Sequence, residues 1–369
     1  MNNYSFPSIT INGREVEIKD ILGKTATAGS KFESTTFLFI QNWFSPADAF
    51  IQHTSGSTGI PKPIAITRKQ MITSAQMTQQ ALDLKANDTS LVCLDTEYIA
   101  GKMMMVRSFV TDTKIIAISP SSNPFAALPR NLKIDFAALV PLQVHEVIRS
   151  PQRHWLNSIK NIIVGGAPLS DETTKNLSSS SGRIFETYGM TETLSHVALR
   201  RVNGPSASEC FTALPGITIN TDERGCLEIS VPYLDNKIMT NDIVEIKENT
   251  KFKWLGRWDN IINSGGVKII PEKVEKEIQE LFNRLKVEGR FFIASRPDPA
   301  LGNKLILIIE DSLPQSLMEN IKSSLGDHLS PYEVPKEFFV NVDFVFTKNG
   351  KISRSETIQK SGILNRNLI

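Results

Sequence analysis

The 369-residue sequence holds only three cysteines, Cys93, Cys210 and Cys226. Their spacing matches no metal motif, and an odd, sparse count argues against a disulfide framework. No uninterrupted apolar run approaches the roughly 18 residues of a membrane helix. The opening stretch, MNNYSFPSITINGREVEIKD, lacks a basic segment followed by an apolar one, so a signal peptide is not expected. Charge of one sign is lacking too: 41 Lys and Arg against 39 Asp and Glu leave a net +2. No Lys/Arg block forms the basic stripe of a nucleic-acid binder. Internal repeats are absent, and NLSSSSG (176–182) is a short loop rather than a low-complexity domain. These absences exclude nucleic-acid and membrane partners and leave a reducing cytoplasm as the expected compartment. Hydrophobic content of 40% and charged content of 22% fit a soluble globular protein. The length suggests two or three domains.

Short apolar runs alternate with longer amphipathic ones. SLVCL (90–94), KIIAI (114–118), NIIVGG (161–166) and RIFET (183–187) read as strands. TRKQMITSAQMTQQALDL (67–84) reads as a helix that Thr67 can cap, with Met71, Ala75 and Leu82 near one face. The alternation predicts an α/β fold whose sheet includes parallel strands. From about 205 the texture changes, and GCLEISVPYL and DIVEIKENTKFKWLG read as strands without intervening helices. PEKVEKEIQELFNRL (271–285) then reads as a helix, with Pro271 in its first turn and Val274, Ile278, Leu281 and Leu285 on one face. FFIA and KLILIIE follow as strands. The predicted architecture is a large domain over 1–256, with a β-rich part from about 205, and a small α+β domain over 257–369.

HTSGSTGIPKP (53–63) carries the densest chemistry. Gly56 and Gly59 let the backbone turn tightly. Consecutive N–H groups and the hydroxyls of Thr54, Ser55, Ser57 and Thr58 can ring an anion, and Lys62 adds a point charge. The spacing is not that of a Walker A loop, which needs G-x-x-x-x-G-K-[ST]; alone, the stretch also reads as a solvated linker. In TYGMTET (187–193), Tyr188 offers a ring for a base, Thr191 a hydroxyl for a phosphate, and Glu192 a carboxylate for Mg²⁺; a capped strand-to-helix turn is the plainer reading. TNDIVEI (240–246) places Asp242 at a strand start, to grip two ribose hydroxyls or to make an Asx turn. GRWDNIINSGGVKIIPEKVE (256–275) holds Arg257 and Asp259 and then a Gly-Gly turn, or is a surface loop between domains. TKNGKISR (347–354) sets Lys351 in a tight Asn-Gly turn, where most lysines simply face solvent.

Taken in order, these five stretches resemble the core motifs of the adenylate-forming superfamily, from about residue 45 to the end. The resemblance implies two steps: a carboxylate attacks the α-phosphorus of ATP, and coenzyme A then displaces AMP from the acyl-adenylate. It assigns the phosphates to Thr54, Ser55, Gly56, Ser57, Thr58, Gly59 and Lys62. It sets Tyr188 and Gly189 with Gly166 around the nucleotide, Thr191 at the α-phosphate and Glu192 at Mg²⁺. Asp242 and Arg257 hold the ribose, Lys351 bridges substrate carboxylate and α-phosphate, and Asp259 is the hinge of a mobile small domain. Gly265 and Gly266 line the path for pantetheine.

Within the superfamily, three stretches resemble the o-succinylbenzoate–CoA ligases of menaquinone biosynthesis. YGMTETLSHVALR (188–200) places Ser195 shortly after the Glu. YIAGKMMMVR (98–107) stands where the family has H-x-x-G, with Tyr98 in place of His, then Gly101, Lys102 and Arg107. VPLQVHEVI (140–148) resembles a wall of the acyl pocket. The implied substrate is an aromatic dicarboxylate whose second carboxylate needs a cation, with Lys102 and Arg107 as candidates. Alternatively, either residue lies on the far side of a Met-rich core helix. Gly165 joins this substrate set, and a CoA or carrier-protein ligase for another acid, or a non-catalytic nucleotide-binding relative, remain as other readings. Asn241 replaces the family's Gly before Asp242. Only about fifty residues precede the phosphate loop, fewer than the family has; an apolar face left uncovered by that shortening implies a homodimer.

Overall fold

The computed structural model describes residues 7–53, 63–346 and 352–363. Thr67 starts the helix Arg68–Leu82 through a capping box. Its hydroxyl accepts from Gln70 N at 3.2 Å, and the Gln70 side chain accepts from Thr67 N at 2.8 Å. Met71, Ala75 and Leu82 are buried on one face, and Asp83 ends the helix at φ +54. The helix packs against a second one, Ile99–Thr111.

Among the described residues six strands run parallel: Ser8–Ile11, Thr89–Val92, Lys114–Ala117, Phe136–Leu139, Asn161–Val164 and Arg183–Gly189. Phe136–Leu139 and Asn161–Val164 are buried throughout, because helices cover both faces of a parallel sheet and leave no solvated side. In the sheet, Thr89–Val92 lies between Lys114–Ala117 and Phe136–Leu139. After Thr89–Val92 the chain therefore adds its next strand on one side and the following one on the other. That reversal is a topological switch point, and in open α/β sheets ligands bind outside the carboxyl ends of the strands there. The strand His196–Arg201 continues the sheet antiparallel to Arg183–Gly189, and Phe211–Ala213 follows it. At the other edge, Ser8–Ile11 pairs parallel with Lys114–Ala117 and antiparallel with Arg14–Glu17. The fold is thus mixed α/β, with helices flanking a sheet that is parallel in its middle.

The chain divides into two compact units. The first takes in residues up to Asn220 with Glu228–Ile238 and Ile246–Lys253; the second takes in Thr221–Leu227, Met239–Glu245 and the residues from Trp254 on. In the second unit, Ile262–Ser264 and Val267–Ile269 form a hairpin. The helix Pro271–Leu285 follows, with Pro271 in its first turn and Val274, Ile278 and Leu281 buried. It packs with Phe291–Asp298, Gly302–Ile309 and the helix Gln315–His328 around one apolar core. Among the described residues, no helix is long and apolar enough to cross a membrane.

Candidate active site

The carboxyl ends of the parallel strands in the first unit deliver the candidate residues directly. Tyr98 lies beyond Thr89–Val92, Gly165 and Gly166 just after Asn161–Val164, and Tyr188 and Gly189 at the end of Arg183–Gly189. Tyr98 is 63% exposed, immediately before the helix Ile99–Thr111. Gly101 is buried where that helix meets the preceding loop, and a Cβ there would stand 2.3 Å from Asp95 O, so the helix could not approach with any side chain at this position. At Gly165 a Cβ would collide with the Thr187 hydroxyl at 2.3 Å, while Gly166 has φ +89. The Tyr188 ring is half-buried, edge-on to Phe252 with centroids 5.1 Å apart. Val140 and Gln143 stiffen the neighbouring helix start. The Gln143 side chain accepts from Val140 N at 3.0 Å and donates to Ser121 O at 2.9 Å.

The turn after Tyr188 is held by Thr193, which is fully buried. Its hydroxyl accepts from Met190 N at 2.9 Å and lies 2.7 Å from Ser195 O. Leu194 takes φ +67, an unusual conformation for a bulky residue, and its N–H donates to Thr191 O. Thr191 is half-buried in this turn, and Glu192 is exposed. Among the described residues no group of three or more His, Cys, Asp or Glu could hold a metal. A single carboxylate nevertheless fits Mg²⁺, which is commonly bound by one or two carboxylates together with substrate phosphates.

The helix Ile99–Thr111 separates its two cations. Lys102 is half-buried and donates to the Gln52 side chain at 2.9 Å; burial pushes its ammonium below the ordinary lysine range, against the pull of Glu97. Arg107 is only 3% exposed. Its Nη2 donates to Ser195 Oγ at 2.6 Å and to His196 Nδ1 at 3.3 Å, and its Nε donates to Thr78 Oγ1 at 3.3 Å. Arg107 and Ser195, two of the candidate substrate residues, are thus in direct contact. Among the described residues no carboxylate pairs with Arg107. Burial pushes its guanidinium down to about 10, and the opposing influence is Tyr233. That phenol is itself pushed up by burial to about 12, so it is neutral at pH 7 and brings no counter-charge.

His196 owes its place to an irregularity. The pairing of His196–Arg201 with Arg183–Gly189 shifts between His196 and Ala198, and the four residues His196–Leu199 are all buried instead of alternating. Burial, followed by the Arg107 charge, holds the imidazole well below the ordinary histidine range. His196 is therefore neutral when folded but protonates near 6.5 once unfolded. The unfolded state binds the extra proton below pH 6.5, so stability falls as pH drops from there, by about 1.4 kcal/mol per pH unit. In denaturant titrations from pH 7.5 to 5, the stability difference between wild type and His196→Asn should follow that slope. A pH-independent difference would contradict a buried neutral imidazole.

In the second unit, Asp242 is the fifth residue of the strand Ile238–Glu248 rather than its start. It is buried, accepts from Trp254 Nε1 at 3.1 Å and lies 3.5 Å from Arg257 Nη1. Arg257 reaches Asp259 at 2.7 Å, and Asn241 donates to the other oxygen of Asp259 at 2.9 Å. Gly265 and Gly266 form the two-residue hairpin turn, both at positive φ (+58 and +82), as a turn matched to the twist of the strands requires. A Cβ on Gly265 would stand 2.9 Å from the Tyr332 ring. Thr54, Ser55, Gly56, Ser57, Thr58, Gly59, Lys62 and Lys351 lie outside the described residues.

Residues 12–224 match the pattern of the AMP-binding enzyme family, over half of the chain. The chain belongs to this family. As an AMP-binding enzyme it is an adenylate-forming ligase. It is 39% identical to a solved acyl-CoA synthetase (AMP-forming)/AMP-acid ligase II-like protein from Dyadobacter fermentans, covering 91% of this chain and 97% of that one at a TM-score of 0.63. It is 26% identical to a 3,4-dihydroxybenzoate–[aryl-carrier protein] ligase from Bacillus anthracis over 85% of this chain and 74% of that protein. It is also 26% identical to a 2-succinylbenzoate–CoA ligase from Lactococcus lactis over 84% and 70%. The Bacillus subtilis o-succinylbenzoate coenzyme A synthetase, solved with ATP and magnesium, shares the fold at 17% identity and a TM-score of 0.66, over 83% of this chain and 69% of that one.

Proposed function

We propose that this adenylate-forming ligase activates o-succinylbenzoate with ATP and passes the acyl group to coenzyme A. The observation that carries the choice of acid is the buried Arg107, unpaired by any carboxylate among the described residues and bonded to Ser195. A monocarboxylic acid consumes its only carboxylate in the reaction. A dicarboxylic acid keeps one, and a desolvated guanidinium is the group that rewards it. Leaving a cation buried and unpaired costs several kcal/mol, which an arriving anion offsets.

In the first step a carboxylate oxygen of the succinyl arm attacks the α-phosphorus. The bond to the bridging oxygen breaks and pyrophosphate leaves. In the second step the thiol of coenzyme A attacks the acyl carbon, loses its proton to solvent, and AMP leaves with the electron pair of the acyl–oxygen bond. Negative charge grows on the pyrophosphate, and the N–H groups, hydroxyls and Lys62 of residues 54–62 are suited to meet it. Tyr188, Gly189 and Gly166 serve the nucleotide, Asp242 and Arg257 its ribose, and Thr191 the α-phosphate. Gly165 and Gly101 belong to the acid's site through the close packing they allow, against Thr187 and the backbone of Asp95, Tyr98 lies at the start of the helix that carries Arg107, and Lys102 adds a second cation. Lys351 bridges the acid and the α-phosphate. Magnesium held by the exposed Glu192 would neutralise phosphate charge. Asp259 acts as hinge, and Gly265 and Gly266 leave room for pantetheine.

The test is a panel of acids with ATP and Mg²⁺, read as pyrophosphate release, followed by coenzyme A or a carrier protein as acceptor. O-succinylbenzoate with coenzyme A should give the fastest turnover. Robust release with other aryl or fatty acids, and none with o-succinylbenzoate, would overturn the choice of acid. Acyl transfer to a carrier alone would overturn the choice of acceptor.

A further inference from the structure

We propose that His196 is the positioning residue that aims the Arg107 guanidinium, and that it thereby sets the preference of this enzyme for an acid with a second carboxylate. The proposal rests on the reading of Arg107 given above. Its own basis is a count of protons.

A guanidinium carries five N–H donors and no acceptor. The Nε–H goes to Thr78, and the two N–H groups of Nη2 go to Ser195 and His196. Nη1 keeps its two N–H groups, with no hydrogen-bond partner among the described residues. Because Arg107 can only donate, the His196 Nδ1 it meets at 3.3 Å must be a bare acceptor. The imidazole proton therefore sits on Nε2, which donates to Thr78 Oγ1 at 3.1 Å. Thr78 accepts there and passes its own proton to Ser74 O at 3.2 Å. Every donor of this cluster except the two N–H groups of Nη1 then has an acceptor. The other tautomer would set an N–H against an N–H. A protonated ring would set two cations together in a place where neither is solvated.

The consequence is directional. Ser195 and His196 occupy both N–H groups of Nη2, and Thr78 occupies Nε. Rotation of the guanidinium breaks at least one of these bonds, so Nη1 is the corner left to meet a carboxylate. Fixing that corner in advance spares the ordering of a long side chain when substrate binds. The bulge between His196 and Ala198 marks the strand as bent at this point.

Two variants separate this role from a purely structural one. In Asn the side-chain carbonyl falls near the place of Nδ1 and still accepts from Arg107. In Gln the amide falls near Nε2 and the acceptor for Arg107 is lost. The readout is the ratio of kcat/KM for o-succinylbenzoate to that for 4-oxo-4-phenylbutanoate, the same acid without its ring carboxylate. His196→Asn should keep the wild-type ratio within about threefold, and His196→Gln should lower it at least tenfold, mainly through KM for the dicarboxylate. A fall by the same factor for both acids, or an equal fall in the ratio for both variants, would overturn the proposal.

A second measurement needs no substrate. Imidazole nitrogen NMR of the wild-type protein, with His196 assigned by its loss in His196→Asn, should show the neutral Nε2–H tautomer down to pH 5. An Nδ1–H tautomer, or titration near pH 6.5, would overturn the proposal even if the enzyme prefers the dicarboxylate. If instead wild type does not discriminate between the two acids while the tautomer is as stated, the reading of Arg107 as the carboxylate anchor fails and the geometry of His196 stands.

Discussion

Replacing Arg107 by Met should lower kcat/KM for o-succinylbenzoate by about two to three orders of magnitude while leaving the protein at least as stable as wild type. The loss follows from desolvation. A substrate carboxylate carried into this region without a cation forfeits a charge-assisted contact and stays poorly solvated, a penalty of about 2–5 kcal/mol, and each 1.4 kcal/mol is tenfold in rate. The stability expectation runs the other way. Arg107 is buried and finds only hydroxyls and an imidazole among the described residues. Removing a buried cation that lacks a counter-charge recovers a desolvation cost of several kcal/mol, which outweighs the roughly 1–3 kcal/mol lost when His196 Nδ1 is left without its donor. Activity lost with stability kept is the signature of a group held at a cost for function. Steady-state kinetics and a thermal melt on the same preparation check both halves. A strongly destabilised variant would instead make Arg107 a structural residue. Arg107→Lys keeps the charge without the planar fork, and should fall between wild type and Met in activity.

The second large effect concerns Lys351, whose role here comes from the resemblance of its motif to that of the adenylate-forming superfamily. Lys351→Ala should reduce pyrophosphate release by about three orders of magnitude. Thioester formation from supplied acyl-adenylate and coenzyme A should be nearly unchanged. The asymmetry arises because a cation bridging the attacking carboxylate and the α-phosphate stabilises charge that develops in the first transition state. In the second half-reaction that charge is leaving. Rapid-quench measurement of each half-reaction separates the two outcomes. Equal damage to both would mean that Lys351 acts through folding.

Much of the architecture is written locally in the chain. Thr67 and Gln70 announce the start of one helix, and Pro271 with its four- and three-residue apolar spacing announces another. Thr89–Val92, Lys114–Ala117, Asn161–Val164 and Arg183–Gly189 are legible as short apolar or β-branched runs, whereas Phe136–Leu139, half alanine, and Ser8–Ile11 are not. The direction of Arg107 is not legible in the same way. Nine of the thirteen residues of its helix are buried, so the helix has no single apolar face from which the inward side could be read. Only long-range packing against Thr78 and Ser195 decides it. His196 escapes notice for a related reason, since the bulge after it breaks the alternation by which strand residues are sorted into inner and outer. Thr193 belongs to a quoted motif, but its work inside the turn depends on the positive φ of Leu194, which no pattern of residue types signals. Asp242 sits inside its strand rather than at the start because Ile238 to Asn241 already pair before it.

In this adenylate-forming ligase the role proposed for the buried Arg107 is to meet the second carboxylate of the acid. The most direct measurement is the wild-type ratio of kcat/KM for o-succinylbenzoate and 4-oxo-4-phenylbutanoate, by pyrophosphate release at saturating ATP. A charge-assisted contact to a desolvated guanidinium predicts a preference of about 100-fold for the dicarboxylate. A ratio near one would contradict it.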